Sequence, residues 1–79
     1  MRQEFTRIQG QYLAFIAAYT KLNRIPPAEA DIQRNFGVTP PSVHQMILTL
    51  ERRGLITRTP GRARSIEVLV PRHHLPELD

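Results

Sequence analysis

Residues 28–70 read AEADIQRNFGVTPPSVHQMILTLERRGLITRTPGRARSIEVLV, a stretch with two short helical patterns followed by two strand-like runs. The first helix is predicted over about residues 28–36, directly before Gly37, because glycine favours the left-handed conformation that ends many helices. The second is predicted over about residues 40–53, since Thr39 can cap it and proline at the first helical position loses no hydrogen bond. Two short helices joined by a three-residue turn with glycine are typical of a helix-turn-helix.

The two strand-like runs, residues 55–59 and 65–70, are rich in β-branched side chains and partly alternate between apolar and polar residues. Residues 60–64, PGRAR, lie between them and contain a Pro-Gly turn signal. A five-residue connection of this kind predicts an antiparallel β-hairpin with a basic tip. Residues 71–79, PRHHLPELD, read as a tail.

A longer amphipathic helix precedes this unit. Thr6 is predicted to cap it, with Gln9 completing a capping box, and the helix should end near Asn23 because Pro26 and Pro27 follow. Apolar residues recur along it at helical spacing, and we interpret them as a stripe that packs on the core rather than as a platform for stacking bases. The stripe consists of Ile8, Tyr12, Phe15, Ile16, Tyr19 and Leu22.

Three helices followed by a two-stranded hairpin with a basic tip give the order of a winged helix-turn-helix. The predicted fold class is therefore α+β and mainly α, with the C-terminal antiparallel β-hairpin as the wing. We expect one domain over residues 1–70 and a tail over residues 71–79, because a chain of 79 residues leaves no room for a second domain.

The composition narrows the class of protein. Eleven Lys and Arg residues against seven Asp and Glu give a net charge of +4, and every one of these cations except Lys21 is arginine, whose planar fork suits phosphate and guanine edges. The absence of cysteine excludes disulfides and thiolate metal sites. The N-terminus lacks the apolar run of a signal peptide, and the longest apolar run, residues 13–19, is too short to span a bilayer. We therefore expect a cytoplasmic protein with no membrane partner.

The segment from Phe5 to Leu69 resembles the N-terminal DNA-binding domain of the LexA repressor family and, more distantly, the MarR-type winged helices. The resemblance is carried by FT..Q..YL.FI..Y in the first helix, by IPPAEADIQRNFGV and TPPSVHQMILTLERRGLITR in the helix-turn-helix, and by PGRARSIEVL in the wing. It covers about four-fifths of the chain. It implies a bacterial, nucleoid-associated transcriptional regulator that binds double-stranded DNA and acts as a repressor.

Three features depart from this family. The chain stops at Asp79, whereas the full repressors continue into a serine–lysine self-cleavage and dimerisation domain, so we expect no self-cleavage here. Ala28 stands where the family usually has a serine or threonine cap, which predicts a weaker start of the second helix. The recognition helix of the family commonly has polar or acidic residues where this chain has Pro41, His44 and Gln45. We therefore do not expect this chain to bind the consensus target sequence of the family.

The residues predicted to face base edges lie on the third helix, because the N-terminal half of this helix enters the major groove in a winged helix. They are Ser42, Gln45 and Thr49, with His44 at the margin of the contact. Glutamine can pair bidentately with adenine, and serine or threonine can hydrogen-bond several bases. The solvent face of any amphipathic helix could carry the same residues, but the near absence of acids on this one favours DNA.

Phosphate contacts are expected from the start of the third helix and from arginines. Thr39 and the first N–H groups of that helix form a phosphate seat, although Thr39 also serves as a plain helix cap. Arg62 and Arg64 at the wing tip are predicted to contact the backbone or the minor groove. Arg52 and Arg53 either contact the backbone or interact with the helix dipole.

Other functions have less support in the sequence. A winged helix can instead serve as a protein-interaction module with incidental DNA affinity. No nucleophile–base pair, phosphate loop or metal-ligand spacing suggests an enzyme, and the adjacent His73 and His74 point in different directions. We therefore predict no catalytic residue, no cofactor, no metal and no small-molecule ligand.

A homodimer is expected because one small module gives limited specificity and two copies can read a palindrome. Candidate contacts between copies are Leu48, Leu69, Leu75 and Leu78. The alternative is that the tail, which contains Leu75 and Leu78, folds back onto its own core instead.

Overall fold

The computed structural model describes residues 4–79. It contains three α-helices, a two-stranded antiparallel sheet and a final 3₁₀ turn. The mainly helical α+β winged helix predicted from the sequence is confirmed. Across the described residues, no helix is both long enough and apolar enough to span a membrane. In chain order the elements are α1 (Arg7–Asn23), α2 (Glu29–Phe36), α3 (Pro40–Arg52), β1 (Ile56–Thr57), β2 (Glu67–Val68) and the 3₁₀ turn (Arg72–His74).

The start of α1 is the predicted capping box. The backbone N–H of Gln9 donates to Thr6 Oγ1 over 3.2 Å, and the backbone N–H of Thr6 donates to Gln9 Oε1 over 3.0 Å. Two donors that have no partner within the helix are thereby satisfied. The helix ends at Asn23, as predicted, because Arg24 takes the left-handed conformation with a φ of 60°.

The buried face of α1 differs from the predicted stripe. Ile8 and Leu22 are 52% and 81% exposed, so their assignment to the core is wrong, whereas Leu13, which lies outside the stripe, is fully buried. Every residue from Gln9 to Ala14 is buried, because other segments of the chain cover the first half of the helix on more than one side. A stripe identified by helical spacing assumes a single covered face, and this assumption fails here.

One hydrophobic core lies between the three helices and the sheet. Leu13 of α1, Ile32 of α2 and Ile47 of α3 have no exposed surface, and the ring of Tyr12 stacks on that of Phe36 with the centroids 4.2 Å apart. The inner sides of α2 and α3 are thus held by apolar contacts, which leaves the outer side of α3 to solvent. The core also includes Val43, Leu50, Leu55, Ile56, Ile66 and Val70.

Helix α2 begins with an incomplete cap. Ala28 occupies the N-cap position in an extended conformation but has no side-chain acceptor, while Asp31 Oδ2 accepts the backbone N–H of Ala28 over 2.9 Å. Only one half of a capping box is therefore present. The helix ends as predicted at Gly37, which takes the left-handed conformation with a φ of 64°.

Ala28→Ser is expected to raise the free energy of unfolding by about 1 kcal/mol, because its hydroxyl supplies the missing acceptor for the first turn of α2. Chemical denaturation followed by circular dichroism measures the change. Ala30→Ser, at an exposed position of the same helix, is the control and should give no stabilisation, since serine is a poorer helix former than alanine. Equal effects of the two substitutions would contradict this account of the cap.

The wing is the predicted antiparallel pair of strands, with Ile56 opposite Val68. Each strand is only two residues long, however, so the predicted runs of residues 55–59 and 65–70 overstate the extent of the pairing. The β-branched composition of the runs indicates extended backbone but not where the ladder stops. The wing therefore consists mostly of a loop over residues 58–66.

Side chains close this wing loop where strand pairing stops. The hydroxyl of Ser65 accepts the backbone N–H of Thr59 over 2.9 Å and donates to the carbonyl oxygen of Arg62 over 3.0 Å. These bonds satisfy backbone groups that a longer ladder would otherwise pair. The loop consequently has a defined turn of its own.

Residues 71–79 fold back onto α1, which is the second of the two alternatives for the tail. Leu75 packs against the core, and the side chain of Gln11 holds the end of the tail. Gln11 Nε2 donates to the carbonyl oxygen of Glu77 and Gln11 Oε1 accepts the backbone N–H of Asp79, each over 2.9 Å. The tail thus covers a second side of α1, which explains the wide buried arc of that helix.

Candidate nucleic-acid interface

The outer side of α3 presents the three side chains predicted to face base edges. Ser42 and Gln45 are exposed and Thr49 is half-buried. All three line one shallow concavity, together with Met46 and with Gln9 of α1. Residues three and four apart share a face of a helix, which is why the predicted set lies on one surface. The contribution of Gln9 was not predicted, because it comes from a helix distant in sequence.

Thr39 caps α3, as predicted. Thr39 Oγ1 accepts the backbone N–H of Ser42 over 3.3 Å and donates to the hydroxyl of Ser42 over 3.0 Å. Pro40 and Pro41 occupy the first two helical positions and have no N–H to offer. The helix start is exposed, but the N–H groups of the two residues that follow the prolines are already engaged, that of Ser42 by the Thr39 hydroxyl and that of Val43 by the Thr39 carbonyl oxygen over 3.1 Å. The predicted phosphate seat therefore lacks the free N–H groups that the sequence led us to expect.

His44 lies on the side of α3 that faces α2. Its Nδ1 atom is 3.2 Å from both carboxylate oxygens of Glu29, at the start of α2. Both side chains remain partly accessible, with 51% of the His44 surface and 38% of the Glu29 surface exposed. The sequence placed His44 at the margin of the predicted contact, and the structure adds a carboxylate beside it that is 15 residues distant.

Arg52 and Arg53 point to different surroundings although they are adjacent. Arg52 Nη2 lies 3.4 Å from the hydroxyl of Thr49, so its guanidinium extends along the exposed side of α3. Arg53 instead donates from Nη1 to Gln9 Oε1 and from Nη2 to the carbonyl oxygen of Glu4, each over 2.9 Å. Arg53 therefore joins the end of α3 to the segment that begins α1.

The two arginines of the wing also differ. Within residues 4–79, the guanidinium of Arg62 makes no ion pair or hydrogen bond and is exposed. Arg64 takes the left-handed conformation with a φ of 57°, and its Nη1 atom lies 3.1 Å from Asp31 Oδ2 and 3.2 Å from the hydroxyl of Tyr19. A longer contact of 3.4 Å reaches the carbonyl oxygen of Pro26. Arg64 thus connects the wing loop to α1 and α2.

Asp31 is the acid at the centre of this connection. The hydrogen bond from the backbone N–H of Ala28, followed by the charges of Arg64 and Arg34, holds the pKa of Asp31 below its ordinary value of 3.8, although burial acts in the opposite direction. The same environment raises the pKa of Arg64, chiefly through its hydrogen bond with Tyr19. The carboxylate therefore stays ionised through the physiological range and holds the wing arginine.

A second ion pair joins the wing to α3. Arg58 Nε lies 3.0 Å from Glu51 Oε1, and both side chains are partly buried, with 22% and 34% of their surfaces exposed. In the sequence Arg58 looks like one member of a basic run. Among the described residues, Arg52 and Arg62 are therefore the two arginines of α3 and the wing whose guanidinium groups neither pair with an acid nor form a hydrogen bond with another element.

The two adjacent histidines of the tail lie far from these groups in sequence. The rings of His73 and His74 contact each other edge to face, with their centroids 4.3 Å apart, so the expectation that the two side chains point in different directions is wrong. Among the residues that the structure describes, no three His, Cys, Asp or Glu side chains come together as a metal site.

Comparison with known proteins identifies the family. Residues 2–65 match the family described as the LexA DNA binding domain. The chain belongs to this family. The resemblance found in the helix-turn-helix and wing motifs is thereby confirmed.

Three LexA repressors are among the similar proteins. The repressor of Thermosipho africanus is 39% identical over 67 residues, which cover 85% of this chain and 34% of the repressor. That of Thermosipho melanesiensis is 36% identical over 67 residues, with the same coverage. That of Pseudothermotoga lettingae is 39% identical over 69 residues, which cover 87% of this chain and 34% of the repressor. The chain spans about a third of the length of these relatives.

Proposed function

We propose that the chain binds specific double-stranded DNA sequences and acts as a repressor-type transcriptional regulator, with α3 in the major groove. The observation that carries the proposal is the outer side of α3, where Ser42, Gln45 and Thr49 line one accessible concavity on a chain of the LexA DNA-binding domain family. The apolar inner side of the same helix is fully buried, so its orientation is set by the core.

Base discrimination in this proposal rests on short polar side chains. The amide of Gln45 can donate to N7 and accept from N6 of one adenine in the same plane, which few other side chains do. Ser42 and Thr49 supply single hydrogen bonds, and the methyl group of Thr49 suits the methyl group of thymine. His44 lies at the margin of this contact, where Glu29 competes for its ring nitrogen.

Backbone contacts come from the start of α3 and from the arginines around it. Thr39 at the start of α3 is assigned to one phosphate, since the positive end of a helix attracts anions. The N–H groups of Ser42 and Val43 are engaged by Thr39 itself and are not part of this assignment. Arg52 and Arg62 are the exposed cations assigned to phosphates on either side. Arg53 and Arg64 belong to the same charged surface, where their fields add to the attraction while their own contacts position α3 and the wing.

Selection of bound sequences from a random duplex library, followed by affinity measurements, tests this proposal. Gln45→Ala is expected to relax discrimination at one base position by about 1–3 kcal/mol, because it removes the bidentate contact. Gln33→Ala, in α2 and outside the concavity, is the matched control and should leave the base preference unchanged. A selected consensus that Gln45→Ala reads as sharply as the unmodified protein would refute the placement of α3.

Salt dependence separates this function from a protein-interaction module. Affinity for duplex DNA should fall steeply as salt rises, because each arginine–phosphate contact releases counterions. Fluorescence anisotropy with random duplex at low and physiological salt measures this directly. Absence of any binding at low salt would favour the protein-interaction module.

We also propose that two copies occupy one palindromic site. A single module buries only about 600–1,000 Å² on DNA, which limits its specificity. Leu69 and Leu78 are 49% and 45% exposed and are the assigned contacts between copies, whereas Leu75 packs against its own core. A selected consensus with two symmetric half-sites would support the dimer, and a single asymmetric half-site would contradict it.

A further inference from the structure

Two residues other than glycine have a positive φ within residues 4–79, and both are arginines. Arg24 has a φ of 60° and Arg64 a φ of 57°, both in the left-handed region. This conformation costs energy for any residue with a Cβ atom, and glycine adopts it freely. Glycine occupies the other left-handed positions among these described residues, including the end of α2 at Gly37. The two arginine side chains are therefore present at a conformational cost.

Both arginines line the same groove, between the connection from α1 to α2 and the wing loop. Arg24 lies on one wall with Ile25 and Pro26, and Arg62 and Arg64 lie on the other. Three of the ten arginines of the chain thus converge on one surface feature. One acid, Glu67, also lines the groove, and the remaining members of the lining are Thr59, Ala63 and Ser65.

The guanidinium groups of the three arginines differ in how far they are engaged. That of Arg64 already contacts Asp31 and Tyr19. In the described part of the chain, the guanidinium groups of Arg24 and Arg62 make no ion pair or hydrogen bond. Glu67 is exposed, and it pairs with neither. Two arginines with unpaired guanidinium groups thus line one concave surface, an arrangement suited to an anion with several oxygens.

A purely structural role does not account for arginine at position 24. The left-handed cap needs only a backbone N–H, which donates to the carbonyl oxygen of Thr20 over 2.8 Å, and glycine would supply it without strain. A cation in the last turn of α1 is already present at Lys21, where it interacts favourably with the helix dipole. The remaining property of Arg24 is an unpaired guanidinium on a residue that lines the groove.

We propose that Arg24 and Arg62 together bind a phosphate of the DNA backbone that lies outside the segment read by α3. This inference rests on the proposed DNA-binding function and extends the interface from the wing to the connection between α1 and α2. Arg64 holds the second wall of the groove in place through its contacts with α1 and α2. The groove recognises charge and not sequence, because phosphates carry no base information.

Arg24→Gly tests the inference, because it relieves backbone strain, which should not lower stability, and removes a charge, which should weaken DNA binding. The thermal midpoint should stay the same or rise, since glycine relieves the left-handed strain. Affinity for the selected duplex should fall about five- to tenfold at 0.1 M salt, and the slope of log affinity against log salt should flatten by about 0.9, as expected for the loss of one phosphate contact. The base preference should not change. An unchanged affinity and slope would overturn the inference.

Two control variants sharpen the result. Arg24→Lys keeps the charge and should retain the salt slope. Arg72→Ala removes an exposed cation that lines a different groove, between α1 and the tail, and should leave the slope unchanged. A loss of slope equal to that of Arg24→Gly would indicate a general effect of net charge and overturn the inference.

Two further outcomes distinguish this inference from the proposed function and from the binding of a free anion. If the unmodified protein binds no duplex at low salt, both the inference and the proposed function fail; if it binds but Arg24→Gly binds equally well, only the inference fails. Inorganic phosphate titrated into the free protein, with the amide resonances of residues 24 and 62 monitored by NMR, tests a free anion as the ligand. Saturable binding that Arg24→Gly abolishes without any change in DNA affinity would assign the groove to that anion instead.

Discussion

Leu13→Ala is expected to lower the free energy of unfolding by about 3 kcal/mol, because the side chain is fully buried and its removal leaves a cavity at the centre of the core. A domain of this size has a total stability of about 4–12 kcal/mol, so the loss is a large part of the whole. Urea denaturation measures it directly, as a lower midpoint with an unchanged slope.

Leu22→Ala is the matched control, since it makes the same chemical change on the same helix at a side chain that is 81% exposed. It should change the stability by less than about 0.5 kcal/mol. The apolar stripe inferred from helical spacing predicts the reverse order, because it includes Leu22 and omits Leu13. A larger effect at Leu22 than at Leu13 would show that α1 is rotated relative to the core described above.

Asp31→Ala is expected to lower the free energy of unfolding by about 2 kcal/mol, because one carboxylate accepts the backbone N–H of Ala28 and contacts Arg34 and Arg64. The loss has two parts: a weaker start of α2 and the release of the wing arginine. Asp31→Asn should fall between the two proteins, since its amide oxygen can still accept the Ala28 N–H but carries no charge. Thermal and chemical denaturation of the three proteins measure the order.

The same carboxylate makes stability depend on pH in a defined direction. Because folding lowers the pKa of Asp31, its contribution is complete above the ordinary value of 3.8 and is lost as the pH falls through the lower folded pKa. Asp31→Asn should therefore remove part of the acid limb of the stability curve. Asp79→Asn, which removes the exposed partner of Arg7, is the control and should leave most of that limb in place. An acid limb unaffected by Asp31→Asn would contradict the assignment.

The local features of the fold were predictable from the sequence because their causes lie within a few residues. Thr6 with Gln9, Thr39 with the prolines after it, and Gly37 each satisfy backbone groups one turn away, and all three mark helix ends where expected. The burial of Leu13 was not predictable in the same way. It depends on a tail that follows it by some 60 residues and covers a second side of α1.

The candidate interface likewise has features that could be predicted from the sequence and features that could not. Ser42, Gln45 and Thr49 share a face because of helical geometry, which a sequence displays directly. The engagement of Arg64 depends on Asp31, which is 33 positions earlier in the numbering, and nothing in the basic run of the wing indicates that pairing. Long-range ion pairs of this kind leave no periodic signal in a sequence.

The short strands of the wing have a consequence for how such a protein diversifies. Two residue pairs contribute little cooperative β structure, so the direction of the wing is set by the helical body through two acids, Asp31 of α2 and Glu51 of α3. Changes of length or composition between residues 60 and 63 then alter what the wing can contact without altering the core. The ion pairs that attach the wing and the residues at its tip are thus separate sets. Substitutions at the tip can change what the wing contacts while its attachment to the helices stays the same.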